Sequence, residues 1–218
     1  MRTPLNAING LAEILRHQMF GPLGNDRYVN YVEDIQRSGQ HLLSLINDVL
    51  DMSKIEAGRQ PLQLERQPLT PLVERSIRMA QPIADRRSVR LQFQANGADI
   101  SADCDGRAIT QMVINLVSNA VKFSPPGGTV EVRLEPSSFG GAKISVMDGG
   151  PGIEEDVLPH LFEAYAHRAA MTTARYDGVG LGLAITKALI ELHNGQIRVV
   201  TQPGRGTTMT LELPPTTA

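Results

Sequence analysis

The 218-residue chain reads as two modules, an α-helical hairpin that would form a four-helix bundle as a dimer and an α+β two-layer sandwich. Three observations predict this. Tyr28, Val32, Ile35, Gly39, Leu42, Ile46, Val49 and Met52 recur every three or four residues, close to a heptad seam. After "AGRQP" (57–61), helical and strand patterns interleave. Within that stretch "TVEVRLEP" (129–136) and "GAKISVMD" (141–148) alternate strictly and are joined by the turn-rich "SSFGG" (137–141), a hairpin signal. Antiparallel hairpins with partly segregated helices indicate a layered α+β sandwich.

The elements follow in order. A first helix, about Thr3–Met19, places Leu5, Ile8, Leu11 (or Ala12) and Leu15 on one face. Pro4 is tolerated in a first turn, or would kink a longer helix arriving from upstream. "FGPLGND" (20–26) breaks the pattern. A second helix, about Asp26–Ala57, has Asp26 as its expected N-cap and Gly58 as its C′ residue. It far exceeds the usual globular length of about 11–12 residues. Two antiparallel helices leave part of such a seam uncovered, and dimerisation covers it. Packing of the hairpin on the rest of its own chain is the competing arrangement.

Beyond residue 58 the expected order is a strand near Leu62–Glu65, a helix about Leu69–Arg86, and strands near Val89–Ala95 and Ile100–Cys104. A helix about Gly106–Phe123 is stopped by "SPPGG" (124–128) and followed by the strict hairpin. A short helix about Glu154–Tyr165, an irregular segment about Ala166–Gly178, a helix about Gly180–His193 and a closing hairpin complete the chain. The expected domains are therefore 1–58 and 59–218.

Composition narrows the function. Hydrophobic residues make up 41% and aromatics only 4%, without tryptophan, so the core is aliphatic. A net charge of −2 gives no footing for nucleic acid or for a polybasic membrane contact. Cys104 is the single cysteine, which excludes a disulfide framework and a cysteine metal cluster and fits a reducing, cytoplasmic compartment. No apolar run of about 18 residues is present, and "MRTPLNAING" (1–10) lacks the form of a signal peptide.

Three motifs carry the chemistry. In "DGGPGI" (148–153), Asp148 ends a strand and is followed by Gly149, Gly150 and Gly152. Such a carboxylate can accept from a planar donor such as an exocyclic amine, and glycines let a flat ligand approach the backbone. A Gly-rich turn with a surface aspartate would give the same string. "GVGLGLAI" (178–185) opens a helix, and Gly178, Gly180 and Gly182 leave N–H groups suited to an anion. It lacks the Gly-Lys-Ser/Thr of a Walker loop and the preceding strand of a dinucleotide fingerprint. In "NLVSNAVKF" (115–123), Asn115, Asn119 and Lys122 share one side of an otherwise apolar helix. Amide oxygens can ligate Mg²⁺ and lysine can neutralise phosphate; a solvated polar stripe is the plainer alternative.

In this order, within about 70 residues, the three motifs resemble the GHKL-type ATP-binding domain of sensor histidine kinases. The resemblance covers nearly all of residues 60–213, with "NLVSNAVKF" similar to the N box, "DGGPGI" to G1, "LFEAY" (161–165) to the F box and "GVGLGLAI" to G2. "MRTPLNAING" and "HLLSLINDVLDMSKIEAG" (41–58) resemble that family's dimerisation and phosphoacceptor hairpin, closest to alphaproteobacterial cell-cycle-type kinases. The resemblance implies a histidine kinase core that uses ATP and Mg²⁺, dimerises through residues 1–58 and docks the receiver domain of a response regulator. It implies that Asp148 binds the adenine amino group, with Gly150 and Gly152 shaping its pocket and Thr207 nearby. It implies that Asn119 ligates Mg²⁺ with Asn115 in support, and that Lys122 contacts phosphate oxygens. Phe162 would anchor a lid over residues 166–178, and Gly178, Gly180 and Gly182 would contact phosphates at its end.

The chain departs from the family upstream. Met1 falls where the family motif His-Glu-Leu/Met-Arg-Thr-Pro-Leu has its third residue, so the phosphoacceptor histidine and its acidic neighbour would stand just ahead of residue 1. His17, His41, His160, His167 and His193 have no such context and read as surface or boundary residues. The expectation is a chain that binds Mg-ATP but cannot form the phosphohistidine. Thr3 matches a threonine that in the family positions water for dephosphorylating a partner. A pseudokinase or phosphotransfer adaptor is the alternative; its mark would be loss of the Asn–Asp–Gly set, which is intact here. A gyrase-like ATPase would need glutamate at position 115, where asparagine stands.

Overall fold

The computed structural model describes residues 2–19, 21–97, 100–137, 140–164 and 180–215. The expected lid (166–178), with Gly178 and His167, lies outside the described residues, and the placement of the Thr3 side chain is likewise not described. The chain divides into two compact units, Met1–Gly58 and Arg59–Ala218.

The first unit is a pair of helices, α1 (Arg2–Arg16) and α2 (Asp26–Glu56). Asn25, not Asp26, caps α2. Its backbone is extended and its side-chain oxygen accepts the Arg27 N–H at 2.9 Å. Two adjacent residues of equal capping chemistry leave the choice to the backbone of the turn. Gly58 adopts φ +64°, the left-handed conformation expected beyond a helix C-terminus. Leu5, Ala12, Val32 and Gly39 are buried between the helices. A Cβ at Gly39 would collide with the Asn9 carboxamide, so the missing side chain lets the helices approach. Other seam positions, Tyr28, Ile35, Leu42 and Val49, are exposed.

In the second unit a five-stranded sheet has the order β2-β4-β5-β7-β6. Its strands are β2 (Arg90–Ala95), β4 (Thr129–Pro136), β5 (Ala142–Asp148), β6 (Gln196–Gln202) and β7 (Gly206–Leu213). β2 runs parallel to β4, and the other pairs are antiparallel. Helices α3 (Leu69–Arg86), α4 (Gly106–Phe123) and α5 (Gly182–Leu192) form the second layer, with α4 in contact with both others. Val130, Val132 and Leu134 of β4 and Ile144 and Val146 of β5 meet Met112, Leu116 and Val117 of α4 in the aliphatic core. α4 starts where Asp105 accepts the Arg107 and Ala108 N–H groups and ends before the two prolines at 125 and 126.

Three expectations are corrected. The strand placed near Leu62–Glu65 is β1 (Glu65–Pro68), paired antiparallel with β3 (Ser101–Cys104). Leu62 and Leu64 draw a pattern reading upstream, but Glu65 opposite Cys104 sets the register. The helix expected over Glu154–Tyr165 is reduced to turns around one 3-10 turn, Leu158–His160. Pro159, inside that turn, offers no N–H to a longer α-helix. His193 is not at the surface: it is 2% exposed. The Asp105 N–H donates to its Nε2 at 3.1 Å, so its Nδ1–H donates to the Leu189 carbonyl at 2.7 Å. His160, by contrast, is exposed beside Glu163.

Candidate functional site

A cavity of about 310 Å³ opens between α4 and the ends of β5 and β7. Helical spacing builds one wall. Leu116, Asn119, Ala120 and Phe123 lie at i, i+3, i+4 and i+7 and share the face of α4 that lines it. Strand alternation builds the floor, from Val146 and Asp148 of β5 and Thr207 and Met209 of β7. The segment after β5 supplies Gly152, Ile153, Glu154, Val157 and Leu161, and α5 supplies Leu183. The result is an apolar slot with a few convergent polar groups, the usual form of a small-molecule site.

Asp148 is the central polar group. Its Oδ1 accepts the Gly150 N–H at 2.8 Å, and the Thr207 N–H also donates to the carboxylate. Burial pushes its carboxyl above the ordinary value, and these two backbone bonds pull it part of the way back. The site therefore holds a partly desolvated acceptor that gains from a further donor. The glycines around it are there for close approach. A Cβ at Gly152, whose φ is +76°, would run into the Gln202 carbonyl, and one at Gly150 would lie 2.7 Å from Asp148 Oδ1.

Of the residues singled out from sequence, Asn119, Asp148, Gly152 and Thr207 line the cavity together. Asn115 faces α5 instead, donating from Nδ2 to the Gly182 carbonyl at 3.2 Å and to Thr186 Oγ1 at 3.4 Å. It ties α4 to the start of α5. Lys122 holds its ammonium 5.4 Å from the centre of the Phe123 ring, at the same end of α4. Gly180 has φ +76°, which no helix residue adopts, so α5 begins at Gly182, two residues later than expected from sequence. The N-cap residue, Leu181, makes no side-chain cap bond, and a helix start of this kind is one whose N–H groups can bind anions. Phe162 is half-buried, and its neighbour Leu161 is the one that reaches the cavity.

Sequence reasoning missed Phe123, Leu161, Leu183 and Met209 as lining residues. Phe123 stood inside a quoted motif, and the period of α4 could have placed it seven residues from Leu116. Among the described residues no three His, Cys, Asp or Glu side chains converge on a metal site. Mg²⁺ requires no such cage, because it binds through one or two protein oxygens together with substrate phosphates and water. The carboxamide of Asn119, in the cavity wall, fits that donor set.

Residues 104–217 match the profile described as "Histidine kinase-, DNA gyrase B-, and HSP90-like ATPase", and residues 1–58 match "His Kinase A (phospho-acceptor) domain". The "Non-motile and phage-resistance protein" of Caulobacter vibrioides is 44% identical over 217 residues, 98% of this chain and 26% of that protein. The "Cell-division control histidine kinase PdhS" of Brucella abortus is 41% identical over 226 residues, 99% of this chain and 22% of that protein. The chain thus spans about a quarter of the length of these curated relatives. The crystal structure of full-length ShkA in complex with AMPPNP superposes with a TM-score of 0.81 at 30% identity, covering 100% of this chain and 44% of that one.

Proposed function

Because this chain belongs to the histidine kinase family of ATPases, we propose that its second unit binds Mg-ATP in the cavity between α4 and β5 and serves as the catalytic core of a two-component sensor kinase. The observation that carries the reading is the half-buried Asp148 carboxylate at the end of a purine-sized apolar slot, with Asn119 on the facing helix. In this reading Asp148 accepts a hydrogen bond from the adenine 6-amino group, and Gly150 and Gly152 keep the backbone clear for the ring. Asn119 offers its carboxamide oxygen to Mg²⁺. Asn115 holds α5 against α4, so that Gly180 and Gly182 lie at the phosphate end. Lys122, one turn beyond Asn119, neutralises phosphate oxygens. Bound through Asn119, Mg²⁺ would supply positive charge to the phosphate oxygens.

The reaction is displacement of ADP by an imidazole nitrogen. The P–O bond to the β-phosphate breaks as the N–P bond forms, and the phosphoryl group then passes to an aspartate of a response regulator. The reacting nitrogen must be aligned with the γ-phosphorus, and no histidine within residues 1–218 has the acceptor context. We therefore expect the 218-residue polypeptide to bind nucleotide without forming the phosphohistidine. Residues 1–58 pair with a second copy and offer the regulator its docking surface, with Thr3 positioning water if the dephosphorylating activity is present.

Calorimetric titration with a non-hydrolysable ATP analogue, with and without Mg²⁺, tests the site. The wild-type chain binds, more tightly with Mg²⁺. Asp148→Asn weakens binding roughly tenfold or more, the scale of a hydrogen bond to a charged group, about 1.5–3 kcal/mol. Lys122→Ala weakens the analogue and leaves adenosine unchanged. Undiminished affinity in Asp148→Asn removes the adenine assignment, and equal losses for analogue and adenosine remove the phosphate role of Lys122.

A further inference from the structure

Thr201, in β6, is not part of the cavity wall, yet its hydroxyl is engaged on every side. It donates to the Gly206 carbonyl at 3.0 Å, accepts the Ile153 N–H at 3.0 Å, and lies 3.0 Å from Thr207 Oγ1. A threonine hydroxyl has one proton and two lone pairs. The Gly206 carbonyl can only accept, so it calls for that proton. One lone pair is taken by Ile153. With that proton on Gly206, the contact left over is one in which the Thr207 O–H donates to Thr201, which leaves the Thr207 oxygen lone pairs for the slot. Thr207 and Ile153 both line the cavity, and Thr207 also gives its backbone N–H to Asp148. In that arrangement the base end of the slot presents two acceptors, the Asp148 carboxylate and the Thr207 oxygen.

We propose that Thr201 is a positioning residue that locks the Thr207 hydroxyl as an acceptor and thereby sets a preference for 6-amino over 6-oxo purine nucleotides. The inference rests on the adenine assignment above and adds to it a residue that touches no ligand. An exocyclic amine brings two donors to a pair of acceptors. A 6-oxo group brings a third acceptor, and an unmatched buried polar contact of this kind is a strong discriminator. Removing the Thr201 hydroxyl frees the Thr207 proton to turn into the slot, where it can serve an oxo group.

The test measures dissociation constants for ATP and for inosine triphosphate, which carries the 6-oxo group, in the 218-residue chain with Mg²⁺. The wild-type chain prefers ATP. In Thr201→Val the preference falls about fivefold or more, the worth of one neutral hydrogen bond, while Thr201→Ser retains it. General loosening of the site lowers both affinities together, so the ratio isolates the effect. If the valine variant shows no cooperative thermal transition, Thr201→Ala reads the same difference. In a Thr207→Val background, Thr201→Val changes the ratio no further. A ratio within twofold of wild type in both Thr201→Val and Thr201→Ala overturns the proposal, as does a ratio that still shifts when Thr207 is already valine. If instead Asp148→Asn leaves ATP affinity intact, the adenine site itself is wrong. That outcome is separate, because Asp148 is left unaltered in every Thr201 variant.

Discussion

The two units solve the burial problem in opposite ways. In the hairpin, Leu5, Ala12 and Val32 are the three buried hydrophobic residues among those described, while Ile8, Leu11, Leu15, Tyr28, Tyr31, Ile35, Leu42 and Val49 are left exposed, Leu11 at 62%. In the nucleotide unit the inward positions of β4, β5 and β7 and nearly a full face of α4 are buried. Among its described residues the exposed large hydrophobics are scattered, at Leu64, Met79, Leu192 and Val200. Isolated exposures are ordinary, whereas a stripe along both helices of one hairpin marks an interaction surface. Two helices enclose little volume, and a sheet covered by three helices encloses a core. The second unit buries its own apolar face, whereas the hairpin leaves a stripe for the proposed dimer to cover.

That contrast can be broken most directly at the stripe. Ile35→Glu puts a charge where the proposed dimer buries an apolar side chain, and an unpaired buried charge is strongly destabilising. We expect the dimer's dissociation constant to rise more than a hundredfold, as read by analytical ultracentrifugation, with nucleotide affinity unchanged. A dimer of undiminished stability would show that the stripe serves another purpose.

A smaller effect is expected from the desolvated Asp148 carboxylate. Burial raises the Asp148 carboxyl above its unfolded value, so between the two values the folded chain binds more protons than the unfolded one. Stability then falls as pH rises through that window, and the ionised group is a full burden above it. Measured against Asp148→Asn by thermal melts without nucleotide, the wild-type chain should lose ground from about pH 4, near the unfolded carboxylate value, and level off once the group is fully ionised. A slope of the opposite sign would mean that the backbone bonds from Gly150 and Thr207 outweigh burial.

The smallest effect sharpens the independence of the two units. Cys104 is buried on β3, and burial, followed by the charges of Asp105 and Asp103, pushes its thiol up to about 11. At pH 8 about one thiol in a thousand is ionised, so alkylation must wait for the nucleotide unit to open. The labelling rate should be the same, within about twofold, in wild type and in Ile35→Glu. Faster labelling in the variant would show that the hairpin supports the core of its neighbour.

Much of this architecture is written locally. α3 and α4 run over Leu69–Arg86 and Gly106–Phe123, the spans read from periodicity, because a cap at Asp105 and the prolines at 125 and 126 act within a turn of the residues they govern. The motifs bearing Asn119 and Asp148 were legible for the same reason, since helical spacing and a strand end followed by glycines are short-range patterns. Other features depended on residues distant in sequence. The register of β1 depends on Ser101–Cys104, the burial of His193 on Asp105, and the setting of the Thr207 hydroxyl on Thr201. A hydrogen bond restricts a side chain only when its partner has arrived, and no string of neighbours states which distant partner that will be. The sequence by itself determined the helices, the strand pattern and the chemistry available; the tertiary structure decided which groups face the slot and which distant partners hold them there.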